Sequence, residues 1–196
     1  MRSHHRTPLA VAAVLLGALP VVLSGQTEDG TARAATEEGR TLRHRVTVDA
    51  PPDSVWRVFT TSTGLRSFVA PVAEIELRVG GRWEASYDPE ARIGDPGNIV
   101  NEILSYLPGE MLSIRVARAP PGFPFPDAVK ELWTVIQFEE TERGGTRVTS
   151  TMLGFGRGAP WDALRAAFER DNATILRRLR RRFAAGPVDW SEDDRD

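Results

Sequence analysis

Residues 160–185 read PWDALRAAFERDNATILRRLRRRFAA, and the reading of this stretch decides the fold. Trp161, Leu164, Ala167, Phe168, Ile175, Leu176, Leu179 and Phe183 recur at steps of three and four, which gathers them on one face of a 3.6-residue helix. Pro160 suits a first helical turn, where its missing N–H loses no bond. Gly186-Pro187 supplies a left-handed stop followed by a residue that cannot continue the helix. Asp162 in the first turn and Arg177, Arg178, Arg180, Arg181 and Arg182 toward the end match a helix dipole with a positive start and a negative finish. An amphipathic helix of this length needs a surface to lie on, and the residues before it supply strands.

Upstream, the stretches 41–48, 72–78, 82–87, 98–106, 111–116, 131–139 and 146–155 read as strands, with residues alternating between two faces over 41–48, 82–87 and 98–106. In the first strand Leu42, His44, Val46 and Val48 share a face, opposite Arg43, Arg45 and Thr47. Gly80-Gly81, Asp95-Pro96-Gly97, Pro108-Gly109 and Gly144-Gly145 punctuate the others. Two short helical pieces, 53–60 and 63–69, follow the first strand, and the proline-rich run 119–126 is too poor in N–H donors for a strand interior. The order strand, two short helices, about six strands and a long helix predicts an α+β fold. In it a curved antiparallel sheet wraps around the C-terminal helix. One helix covers the concave side only in part, so a cavity between sheet and helix is expected.

The chain of 196 residues, 41% apolar, is long enough for one domain with a sizeable core. A formal charge of −2 excludes an electrostatic footprint for nucleic acid. The absence of cysteine removes disulfides and thiol chemistry, and only three histidines, two of them His4 and His5, leave no histidine-built metal site. Neither metal nor organic cofactor is expected. Arg2, His4, His5 and Arg6 precede an apolar run from Leu9 to Leu23 that ends at Ser24 and Gly25, the pattern of an export signal. The expected organisation is a signal peptide over 1–25, a flexible linker over 26–39, the domain over 40–186 and a frayed acidic tail over 187–196. The mature protein is expected in the periplasm or outside the cell, the alternative being an N-terminal membrane anchor.

Val48-Asp49-Ala50-Pro51-Pro52-Asp53-Ser54-Val55-Trp56 with Phe59, Val79-Gly80-Gly81-Arg82-Trp83, and Gly144-Gly145-Thr146-Arg147-Val148-Thr149 with Gly154-Phe155 carry a family resemblance, together with the final helix. Over roughly residues 40–185 the chain resembles START-like, or SRPBCC, helix-grip domains, in the branch related to the activator of heat-shock protein 90 ATPase. The resemblance implies a cavity for small hydrophobic molecules. A minority of such domains are cyclases or hydrolases, and the eukaryotic namesake binds the chaperone. These motifs mark architecture more strongly than activity.

On this reading the cavity is lined by Trp83, Tyr87, Glu102, Trp133, Phe155, Phe168 and Asn172, with Phe123 and Phe125 at its entrance. Asn172 falls on the helix face that meets the sheet, where an amide needs a partner, either protein or ligand. Along 98–106, Asn98, Val100, Glu102 and Leu104 share one face and Ile99, Asn101 and Ile103 the other, and each face holds a polar group. The favoured function is binding of a small hydrophobic or amphipathic ligand. The alternatives are a cofactor-independent cyclase or hydrolase using Glu102 or His44 as acid or base, and a stress-related protein-interaction module. The arginine cluster at the helix end reads first as a solvated face and second as a weak contact for anionic lipid.

Overall fold

The computed structural model describes residues 40–193. The expected signal peptide and linker, and the last three residues of the tail, lie outside the described residues. Strands β1 (Leu42–Val48), β2 (Val72–Ile75), β3 (Arg82–Ser86), β4 (Ile99–Leu107), β5 (Met111–Arg118), β6 (Trp133–Glu140) and β7 (Thr146–Leu153) form a single sheet. Its order is β1-β7-β6-β5-β4-β3-β2, with every neighbouring pair antiparallel. Helices α1 (Pro52–Thr60) and α2 (Ser62–Arg66) follow β1, α3 (Pro126–Lys130) precedes β6, and α4 (Ala159–Ala185) ends the expected domain. This is the curved sheet around a long helix that the residue pattern predicts, and the helix-grip architecture that the family resemblance implies.

The local signals act where the sequence put them. Pro52 opens α1, and Thr61 caps α2 by accepting from the Gly64 N–H at 3.1 Å. Pro160 lies in the first turn of α4, and the Gly186 N–H closes its end on the Arg182 carbonyl at 3.1 Å. In the β2–β3 connection Gly80 has φ +73°, and the Gly80 N–H and Gly81 carbonyl bond to Ile103 of β4 at 2.8 and 2.9 Å. Gly81 cannot carry a Cβ, because it would run into the Glu76 carbonyl oxygen.

Two apolar clusters hold α4 to the sheet. The larger gathers Val55, Phe59, Leu65, Phe68, Ile103, Leu112 and Phe138 with Leu176 and Leu179 of α4. The smaller joins Leu42, Val129, Leu132, Met152 and Phe155 to Leu164 near the start of α4. Each fully buried side chain of this kind contributes roughly 1.5–3 kcal/mol by leaving water. The smaller cluster depends on α3, which begins at the last proline of the run 119–126 and occupies residues for which the sequence pattern named no element. Pro126 serves as a first-turn proline, and the short helix places Val129 and, just after it, Leu132 in the core, both at most 1% exposed.

On the convex face Glu84 is 1% exposed and holds the connection between β3 and β4. Its Oε1 accepts from the Asn98 side-chain amide at 2.7 Å and the Gly94 N–H at 2.6 Å, while the Arg82 and Arg118 guanidinium groups stand 3.4 and 3.7 Å away. The segment after α4, expected to fray, is docked through its described residues. The Val188 N–H donates to the Ser67 carbonyl at 3.0 Å, the Trp190 indole N–H donates to the Arg66 carbonyl at 2.8 Å, and Arg178 lies 4.9 Å over the Trp190 ring. A buried valine and an indole with a carbonyl partner outweigh the acidic residues around them.

Candidate functional site

Helix α4 is gripped at Leu164 and again at Leu176 and Leu179, and the turns between stand off the sheet. Phe168, Asn172 and Ile175 face that gap, half-buried although they lie on the apolar side of the helix. The space beneath them is a cavity of about 170 Å³. Apolar cavities on the order of 150 Å³ take up benzene-sized molecules.

Strand alternation supplies the floor. Trp83 and Ala85 come from β3, Ile99 and Asn101 from β4, Ile114 and Val116 from β5, Thr134 and Ile136 from β6, and Ser150 and Met152 from β7. Phe59 and Leu132 close the sides. Phe123, carried on the proline-rich segment, sets its ring 6.4 Å from that of Phe168, so the two form part of the wall next to α4. The interior is apolar apart from Asn101, Thr134, Ser150 and Asn172, with Tyr87 and Asp171 completing the lining.

Tyr87 and Asp171 are electrostatically linked. Tyr87 leaves half its surface exposed, yet the protein around its hydroxyl desolvates it enough to raise its pKa; the Asp171 carboxylate adds to the rise and Arg178 opposes it. Asp171 in turn is raised by desolvation, against the pull of Arg170. Both groups therefore favour their neutral forms more than free side chains do. Asn172 has its Nδ2 buried with no hydrogen-bond partner in the structure.

Of the residues expected at the cavity, Trp83, Tyr87, Phe123, Phe168 and Asn172 line it, and four others lie elsewhere. Glu102 is on the convex face, where its carboxylate accepts from the Arg115 guanidinium at 2.8 Å; a charged group with an arginine partner stays on the wet side of the sheet. Trp133 is also on that face and 38% exposed, because Thr134, Ile136 and Phe138 are the inward residues of β6. Phe155 is buried in the smaller cluster under Arg165, whose guanidinium lies 5.7 Å from its ring. Phe125 is the residue before α3, at φ 54°, and 39% exposed.

The structure also chooses between the faces of β4: Ile99 and Asn101 face the cavity, and Asn101 sits opposite Trp83 in register. Asn101, Asp171, Thr134 and Ser150 were not singled out from the sequence. The usable signal for the two strand hydroxyls was parity, since each alternates with apolar residues on its own strand. His44 pairs with Ser150 across β1 and β7 but is not part of the lining, and its Nδ1 is buried without a partner. In the arginine cluster Arg182 donates to the Ser67 hydroxyl at 3.1 Å and Arg178 covers Trp190, whereas Arg177, Arg180 and Arg181 occupy exposed positions. Among the described residues no group of three or more His, Asp or Glu side chains is placed to hold a metal ion, and no helix is long and apolar enough to cross a membrane.

A family model described as "Polyketide cyclase / dehydrase and lipid transport" matches residues 39–184. No functionally curated protein matches the chain. Among solved structures, the Aha1 dimer from Colwellia psychrerythraea is similar at 19% identity and a TM-score of 0.59, over 74% of this chain and 97% of that one. The protein MLL2253 from Mesorhizobium loti is similar at 17% identity and a TM-score of 0.60, over 76% and 100%. CalU16 from Micromonospora echinospora is similar at 19% identity and a TM-score of 0.54, over 76% of each chain. At these identities the solved structures establish a common fold.

Proposed function

The chain belongs to the polyketide cyclase / dehydrase and lipid transport family, and from that premise we propose that it is an exported protein that binds a small hydrophobic or amphipathic molecule between its sheet and α4. The observation that carries this reading is the cavity of about 170 Å³ left open beneath the middle of α4, apolar on most sides and with few polar groups. A closed core would have buried Phe168 and Ile175 outright; here they are half-buried around empty space. The export part of the proposal rests on the charged and then apolar opening of residues 1–25.

The test is native mass spectrometry of the protein purified from its own cells, separated into cytosolic and envelope fractions, followed by extraction and identification of whatever is bound. A stoichiometric apolar molecule, lost in Phe168→Arg while the variant stays folded, is the expected result. A protein that comes out empty, and stays empty against a broad set of apolar compounds, overturns the binding reading. A full-length mass found only in the cytosol overturns export.

A cofactor-independent cyclase or hydrolase is the second reading. It is favoured by the linked Tyr87 and Asp171 at the cavity. Glu102, on the far face of the sheet, gives it no support. Chemical change of a bound ligand that is lost in Tyr87→Phe with binding retained would move the assignment from carrier to enzyme. An interaction module calls for a filled cavity, and this one is open.

A further inference from the structure

The polar groups of the cavity narrow the class of ligand, an argument that rests on the cavity-binding reading above. Asn172 is the amide of α4 at the cavity, and no hydrogen bond in the structure engages its side-chain nitrogen. With no protein partner to fix it, the amide can turn about its last torsion and offer either its NH₂ or its carbonyl to the cavity. A buried amide left unpaired is costly, so its place on this face calls for a partner from within. Tyr87 adds a phenolic hydroxyl, which is able to donate. The other polar lining groups, Asn101, Thr134 and Ser150, are uncharged. Asp171 is the single charged residue of the lining, and it is an acid. The nearby cation that acts on Tyr87, Arg178, has its guanidinium over the Trp190 ring.

We propose that the cavity selects apolar molecules carrying a carbonyl or hydroxyl oxygen, which bonds to Asn172 and the Tyr87 hydroxyl, and that Asp171 disfavours carboxylates. Fatty acids and aromatic acids are thereby placed behind ketones and alcohols of the same skeleton.

Three probes with one skeleton test this: acetophenone, ethylbenzene and benzoate, titrated into the folded protein by calorimetry near neutral pH. The ketone is expected to bind roughly three- to tenfold more tightly than the hydrocarbon, the worth of one net hydrogen bond, and the carboxylate is expected to bind most weakly. Asn172→Leu should abolish the preference for the ketone over the hydrocarbon, read as the ratio of their affinities, and Asp171→Asn should narrow the gap to the carboxylate. Equal binding of ketone and hydrocarbon, a carboxylate that binds more tightly than either, or a ketone preference untouched by Asn172→Leu overturns this inference and leaves the cavity reading standing. Failure of all three probes to bind the native protein overturns the cavity reading, and this inference with it.

Discussion

Asn172 and Asp171 are neighbours on α4, and each costs the folded protein stability at neutral pH, for different reasons. Replacing the unpartnered amide of Asn172 with leucine removes an unsatisfied buried donor and fills apolar space, so Asn172→Leu is expected to stabilise the protein by about 1 kcal/mol or more. Urea unfolding checks it, and a loss of stability would show that the amide has a partner in solution. For Asp171 the sign follows from the raised carboxyl pKa. The folded chain holds that proton more tightly than the unfolded chain, so stability falls as pH rises from the ordinary aspartate value of 3.8 through the raised one. Asp171→Asn should therefore be the more stable protein at neutral pH, and its advantage should close as pH drops toward about 4. Denaturant midpoints across that range measure it, and an advantage independent of pH would contradict the assignment. Asn172 was legible from the helix period alone, because a polar residue stood in an apolar stripe. Asp171 was not, since its place at the cavity depends on how the helix is rotated over the sheet.

At the scale of elements, close backbone approach and buried polar ties decide what can change. Gly64 of α2 sits where a Cβ would strike the backbone of Val58 in α1. Gly64→Ala is therefore expected to cost about 1–3 kcal/mol or more by forcing the two helices apart, read as a lowered thermal midpoint. Glu84 holds the connection between β3 and β4 by two short hydrogen bonds and two arginine neighbours. Glu84→Ala should cost about 2–4 kcal/mol, and amide exchange should rise across residues 88–98 before it rises in β6 or β7. Long, strongly periodic segments such as α4 and β7 were plain in the sequence because many residues agree on one period. Helix α3 was not, because five residues, the first a proline that follows three others, give no period to read, and its apolar side chains acquire a purpose only when the smaller cluster forms around them.

For the whole molecule, the two clusters at the ends of α4 act as clamps and the cavity lies between them. Leu164→Ala and Leu179→Ala each delete a fully buried side chain and are expected to cost about 2–5 kcal/mol. Phe168→Arg, at a half-buried position over open space, should cost much less while abolishing ligand binding. If Phe168→Arg unfolds the protein as readily as the leucine variants do, the space beneath α4 is closed in solution and the binding reading loses its basis.

The sequence by itself determined the order of the strands, the two short helices after the first of them, the antiparallel sheet and the long helix that closes it, because period, glycine and proline act locally and in concert. It also marked Trp83, Phe168 and Asn172, whose faces follow from position along a strand or helix. Only the tertiary structure decided which face of β4 turns inward, that Trp133 and Glu102 look out, and that Tyr87 and Asp171 meet at the cavity. The physical reason is that parity names two faces without saying which is wet. That choice is made jointly by the register of neighbouring strands, the bulges in β4 and β5, and the helix laid across them.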